Sequence, residues 1–253
     1  MSLLFDRLNE IMRTLRSEEG CPWDREQTHE SLIKYLREES HEFFDAVYAG
    51  NSSSMCEELG DVLLQVVFHA EIARSDGNFT IDDVIHSICE KLIRRHPHVF
   101  GTASATNSEE VIKNWQQIKI EEKGAKPESS LDGVPKSLPA LSFADELQRK
   151  AAKVGFDWPD WKGAWAKAEE ETAEFLDALK HESKERQIEE FGDLLFSLVN
   201  TGRKLSIDSE EALRLASVKF TNRFKKTEIE AGPEFKNMNL EEKESIWKRM
   251  KEV

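Results

Sequence analysis

Slid along itself by 132 residues, the chain meets itself twelve times between residues 38 and 69 without a gap. Glu38, Glu39 and Glu42 fall on Glu170, Glu171 and Glu174, and Glu58 and Asp61 fall on Glu190 and Asp193. Phe43, Asp45, Ala46, Glu57, Gly60, Leu63 and Val67 also meet identical residues. Trp115 and Lys119 match Trp247 and Lys251 at the same offset. Lys91 and Arg95 match Lys219 and Arg223 at an offset of 128, so the intervening loops differ by four residues. An internal repeat decides the fold before any local reading does. It predicts two similar domains, 1–120 and 140–253, joined by a linker at 121–139 that contains GAKPESSLDGVPKSLP.

Each domain is expected to be helical. Gly and Pro are sparse, long segments follow a 3.6-residue period, and few alternate with period 2. The fold class is therefore all-α. The N-terminal MSLLFDRLNEIMRTL mixes acids with apolar residues and reads as a helix of the mature protein, not a signal peptide. No run approaches the roughly 18 apolar residues of a membrane span. Cys21, Cys56 and Cys89 are scattered, which fits a reducing cytoplasm and no disulfide framework. A formal net charge of −14 argues against general binding to nucleic acid, whose phosphates call for excess Lys and Arg.

The repeated acids have a geometry. A helix is expected from about Ser31 to Tyr48, with Leu32, Ile33, Leu36, Phe43, Phe44 and Val47 as its apolar stripe. Glu39 sits at the border of that stripe, and Glu38 and Glu42 lie just beyond it. GNSSS follows as a turn, with Ser54 and Glu57 spaced as a capping box. Glu58 and Asp61, three apart on the next helix, share a face. Two helices joined by a short turn pack antiparallel. Glu42 lies roughly 12 Å before the turn and Asp61 a comparable distance after it, so the acids converge. A single glutamate on a helix is ordinarily a solvated charge. Five that recur at the same spacing beside an apolar stripe call for a cation among them. The repeat supports a site without making both copies active.

Carboxylates alone suit a hard ion, Mg²⁺ or Mn²⁺, and such ions commonly hold phosphates. Zinc would want Cys or His. Glu38 and His41 form an ExxH, as in di-iron bundles, but His41 has Ala173 as its counterpart and no second ExxH pairs with it. Cations for phosphate oxygens are present at Lys91, Arg94 and Arg95, and at Lys219 and Arg223, where Asn222 replaces Arg94. Trp115 with Lys119, and Trp247 with Lys251, place an aromatic ring and a cation one turn apart. There is no GxxxxGK[ST] and no GxGxxG. The chemistry expected is metal-assisted hydrolysis of a phosphate substrate without a covalent intermediate. The rival readings are a nucleotide-binding regulator with little turnover and a structural helical dimer.

EExxE followed after fifteen residues by ExxD resembles the MazG nucleotide pyrophosphohydrolases, all-α relatives of the dimeric dUTPases. CPWDREQTHESL, GDVLLQVVFHAEIA, KLIRRHPHVFG and KAAKVGFDWPDW resemble stretches of their two-domain members, so the resemblance spans nearly the whole chain. It implies Mg²⁺-dependent hydrolysis of nucleoside triphosphates to monophosphate and pyrophosphate, clearing aberrant or excess nucleotides. It implies a homodimer whose four-helix core draws on both chains, with catalysis usually in the C-terminal repeat and assembly in the N-terminal one. By motif position it implies metal binding by Glu170, Glu171, Glu174, Glu190 and Asp193, and nucleotide contacts from Lys167, Lys219, Arg223, Trp247 and Lys251. The matching first-copy residues are Glu38, Glu39, Glu42, Glu58 and Asp61, with Lys91, Arg94, Arg95, Trp115 and Lys119. Glu170 or Glu38 is the acid expected to orient or deprotonate the attacking water, beside Glu171 or Glu39.

Overall fold

The structure is a computed structural model that describes residues 3–104, 107, 110–111, 114–115, 118, 122 and 128–250. The described residues are helical, with no strand among them. The chain divides into two compact units between residues 124 and 125.

In the first unit α1 is Leu3–Leu15, α2 is Pro22–Glu26 and α3 is His29–Tyr48. After the turn come α4, Ser52–Ser75, then α5, Ile81–Arg95, and the short α6, Pro97–Phe100. Thr28 and Ser31 cap α3 reciprocally, and Thr80 and Asp83 do the same for α5. The expected cap at Ser54 is corrected. Asn51 is the N-cap of α4, and its Oδ1 accepts from the amides of Ser53 and Ser54. Asn presents an acceptor as well as Ser does, and the turn is shorter than GNSSS suggests. The core is built from Met12 of α1, Leu32 of α3, Ile81 of α5 and the α4 row Val67, Phe68, Ala70 and Ile72. α1 and α3 thus both pack on α4.

The second unit repeats the plan. α7 is Ala140–Lys153, α8 Trp161–His181, α9 Lys184–Lys204 and α10 Ser209–Ala231. A 3₁₀ turn at Gly232–Lys236 leads to α11, Leu240–Arg249. α8 and α9 form the hairpin, α7 packs on α9 and α10, and α11 packs on α10. The buried residues of α8 are Ala164, Ala168, Glu171 and Ala178. They share one face at spacings near the heptad, and α9 is what that face packs against. The facing helix buries Glu190, Ser197 and Thr201. Small side chains on both sides let the two backbones approach, and two glutamates lie within that seam. In the first unit the offset puts Leu32 and Leu36 where Ala164 and Ala168 stand; Leu32 is buried there and Leu36 is exposed.

Candidate metal and nucleotide site

The hairpin gathers the acids in both units. One carboxylate oxygen each from Glu171, Glu174 and Glu190 lie within 4.8 Å of one another, and so do oxygens from Glu39, Glu58 and Asp61. Glu171 and Glu190 are buried, at 6% and 3% exposure. Glu39, Glu58 and Asp61 are half-buried. Asp193 and Glu42 lie outside these triads on exposed faces, and so do Glu38 and Glu170. Glu38, Glu42 and Asp193 act on the triads through charge. Burial, then Asp61, Glu42, Glu58 and Glu38, push the Glu39 carboxyl above its ordinary range. Burial, then Glu42, Glu57 and Asp61, raise Glu58. Burial raises Glu190 too, with Glu174, Glu171 and Asp193 adding to it and Arg186 opposing.

The units differ in what neutralises these acids. In the second, Lys167 Nζ lies 2.7 Å from Glu171 and 2.9 Å from Glu170, and both carboxylates raise its pKa. Arg186 pairs with Glu190 and, at 2.7 Å, with Glu189. At the same offset the first unit has Tyr35 and Ser54 in place of those two cations. Sequence reasoning missed Arg186, although the i,i+4 spacing to Glu190 signals it. Glu190 Oε2 is buried without a hydrogen-bond partner among the described residues.

The basic residues divide in the same way. Lys219, Asn222 and Arg223 line an open cavity of about 460 Å³ with Lys226 and Met250. Arg223 also donates from Nε to the Trp247 carbonyl at 3.0 Å, and its guanidinium sits 4.1 Å over the Trp247 ring. In the first unit Arg95 lies 5.5 Å from the Trp115 ring. There Arg94 and Arg95 both bind Glu122, whose carboxyl these hydrogen bonds pull down to about 2. Lys91 is half-buried on α5. Lys119 and Lys251 lie outside the described residues. A His pair was also missed: His29 Nδ1 and His69 Nδ1 are 2.7 Å apart across α3 and α4. Forty residues separate them, so no local pattern announces the contact.

Tandem helical hairpins, each with a carboxylate triad on its two helices, define an all-α repeat protein whose clustered acids could hold a cation. The MazG nucleotide pyrophosphohydrolase domain matches residues 27–100 and 164–227, one match in each unit. The nucleoside triphosphate pyrophosphohydrolase/pyrophosphatase MazG of Thermotoga maritima is 50% identical over 98% of this chain and 96% of its own length. The nucleoside triphosphate pyrophosphohydrolase of Escherichia coli K12 is 42% identical over 97% of this chain and 96% of its own. The crystal structure of a mazG-related protein from Thermotoga maritima covers 45% of this chain and 97% of that one, at 31% identity and a TM-score of 0.40. The chain belongs to the MazG family, and with it to the pyrophosphohydrolase class of enzymes. No helix among the described residues is long and apolar enough to cross a membrane.

Proposed function

We propose that the chain hydrolyses nucleoside triphosphates between the α- and β-phosphates, releasing nucleoside monophosphate and pyrophosphate, with Mg²⁺ as cofactor and Mn²⁺ as a substitute. The observation that carries this reading is the convergence of three carboxylates from two helices within 4.8 Å. An all-oxygen donor set suits a hard cation. The unpartnered, buried Oε2 of Glu190 fits the same purpose, since an ionised oxygen there needs a counter-charge. Glu171, Glu174, Glu190 and Asp193 would hold the ion in the second unit, and Glu39, Glu42, Glu58 and Asp61 in the first. Bound there, it supplies charge to offset the phosphate oxygens.

The chain's own groups do the rest. A water oxygen attacks the α-phosphorus as the bond to the bridging oxygen breaks, and pyrophosphate leaves. Glu170, with Lys167 fixing its carboxylate at 2.9 Å, orients that water and takes its proton; Glu38 is its counterpart in the first unit. Lys219 and Arg223 face the phosphates from their cavity, and Arg223 keeps Trp247 beside them. Lys91, Arg94, Arg95 and Trp115 are the counterparts in the first unit. The second unit is the hydrolytic one in this reading. Its basic residues line open space, whereas Arg94 and Arg95 are occupied by Glu122.

Assembly as a homodimer, in the cytoplasm, is part of the proposal. Leu36, Phe44 and Leu63 of the first hairpin and Leu176, Phe191 and Leu195 of the second are exposed. A hairpin with apolar outer faces wants a second hairpin to complete a four-helix core. Pyrophosphate release with Mg²⁺ from wild type, Glu39→Gln and Glu171→Gln tests the whole reading. The expected result is loss in Glu171→Gln alone. Loss in Glu39→Gln alone moves the reaction to the first unit. A wild type that releases none removes the hydrolase reading and leaves a binding protein.

A further inference from the structure

The second unit has another cavity, of about 550 Å³, lined by α7, α9 and the loop between α7 and α8. That volume lies in the range of small-ligand sites. We propose that it receives the nucleobase of the substrate, with Gln148 and Asn200 reading the base edge and Phe156 and Trp158 offering ring faces. This rests on the triphosphate reading above and deepens it.

The two amides have settled roles. Gln148 Nε2 donates to the Phe196 carbonyl at 2.8 Å. A carbonyl only accepts, so the nitrogen must face it. That leaves Gln148 Oε1, buried and without a hydrogen-bond partner among the described residues, on a side chain 7% exposed. Asn200 Oδ1 accepts from Arg203 Nε at 3.1 Å and Nη2 at 2.7 Å. Its NH₂ is thereby turned away from the guanidinium. Two side chains that line the cavity thus hold one acceptor still without a donor and one amide group left to donate, the pair needed to read a base edge that carries one of each. An acceptor buried without a partner costs stability, and a ligand donor would recover it.

The loop backbone and the Trp158 ring are held in place. Gly155, at φ +85°, closes α7, with the Phe156 amide donating to Ala151 and the Gly155 amide to Ala152. This is a Schellman ending. Asp157 is clasped by Arg203 and Lys204, and Lys204 also donates to the Trp158 carbonyl at 2.6 Å. The Trp158 ring rests on Gly163 of α8, where an added Cβ would lie 2.6 Å from Cε3. Phe156 stands 83% exposed beside the cavity.

The position suits a nucleotide. Asn200 is seven residues beyond Asp193 on α9, roughly 10 Å along and within about 20° of the same face. That is comparable with the reach from a nucleotide's α-phosphorus to its base. The first unit lacks the feature. At the offset of 132, Asn200 becomes Phe68, 3% exposed and part of the core, with the Arg16 guanidinium 5.4 Å over its ring. Base reading is therefore confined to the second unit.

The test is kcat/KM for ATP, GTP, CTP and UTP on full-length wild type, Gln148→Leu, Asn200→Leu and Phe156→Ala. Either amide variant should change the ratio between bases roughly tenfold, because a site that hydrogen-bonds a base is left with an unpaired partner. Phe156→Ala, on an exposed ring, threatens the fold least and should raise KM roughly tenfold with kcat kept, the scale of one lost stacking contact. Unchanged ratios and KM in an active protein would overturn the base site and leave the hydrolase reading standing. A native mass lowered by Phe156→Ala with unchanged ratios would make the cavity a contact between copies and overturn it equally. If wild type hydrolyses nothing, calorimetric binding of the four nucleoside monophosphates decides: base-dependent affinity lost in Asn200→Leu upholds the pocket, and affinity blind to the base refutes it.

Discussion

Ala168→Leu tests whether the close seam between α8 and α9 is what makes the triad. Ala168 is 2% exposed and lies on the buried face that contains Glu171. Leucine adds three carbons. Buried freely, they would gain about 0.8 kcal/mol each. Space for them is absent at 2% exposure, so overpacking wins and costs about 1–3 kcal/mol. Helix propensity, nearly equal for Ala and Leu, cannot offset it. For a unit of this size the loss lowers the melting temperature by roughly 4–10 °C. The larger consequence is geometric. Helices wedged apart no longer bring Glu171 and Glu190 together, so Mn²⁺ binding by the second unit should fail. Ala168→Gly is the control. It costs about 1 kcal/mol through propensity but leaves the helices close and the ion bound. Calorimetry with Mn²⁺, on a background of Glu39→Gln and Asp61→Asn, reads the second unit alone. An Ala168→Leu protein as stable as its parent that still binds Mn²⁺ would refute the reasoning. The first unit carries Leu36 at the matching place, but that side chain is 37% exposed and not sealed into the seam, and the triad there still closes.

Mg²⁺ should raise the melting temperature more at pH 8 than at pH 5. The folded-state pKa values of Glu39, Glu58 and Glu190 are raised, burial being the first cause. Their contribution to stability is therefore complete below the unfolded value and is lost as pH rises through the folded one. A cation restores it at high pH, and protons displace the cation at low pH; equal increments at the two pH values would contradict this. Arg186→Ala should bind Mn²⁺ alone roughly tenfold more tightly, the scale of one unit charge a few ångströms away, and should hydrolyse triphosphates more slowly. Weaker Mn²⁺ binding by calorimetry would count against it. Asp157→Asn should cost about 1 kcal/mol at pH 7, read as a shift in urea midpoint, after allowance for solvent screening. Hydrogen bonds from Arg203 and then Lys204 hold that carboxyl at about 2, so its contribution is present above the ordinary carboxylate pKa and lost as pH falls through about 2. An unmoved midpoint would show the clasp to be inert.

What the sequence discloses follows from what it repeats. The hairpins and their acids are legible because identical residues recur at one offset, and because a heptad-like spacing puts Glu171 on a face with Ala164, Ala168 and Ala178. The alanines were equally visible, but alone they signal only a good helix former. Their meaning as spacers needs α9 in place. Comparing the copies draws the eye to what they share and away from what one of them has alone. Arg186 stands against Ser54 and earns no notice in a search for matches, while Lys167, against Tyr35, enters only through the family resemblance. Asn200 stands against Phe68, and Gln148 acquires its role only once the Phe196 carbonyl has claimed its nitrogen. The shared residues therefore describe an acid cluster common to both units. The unmatched ones give the second unit cations beside its acids and, further along the same face of α9, a largely apolar cavity with Gln148 and Asn200 in its wall, as the proposed reaction on a particular substrate requires.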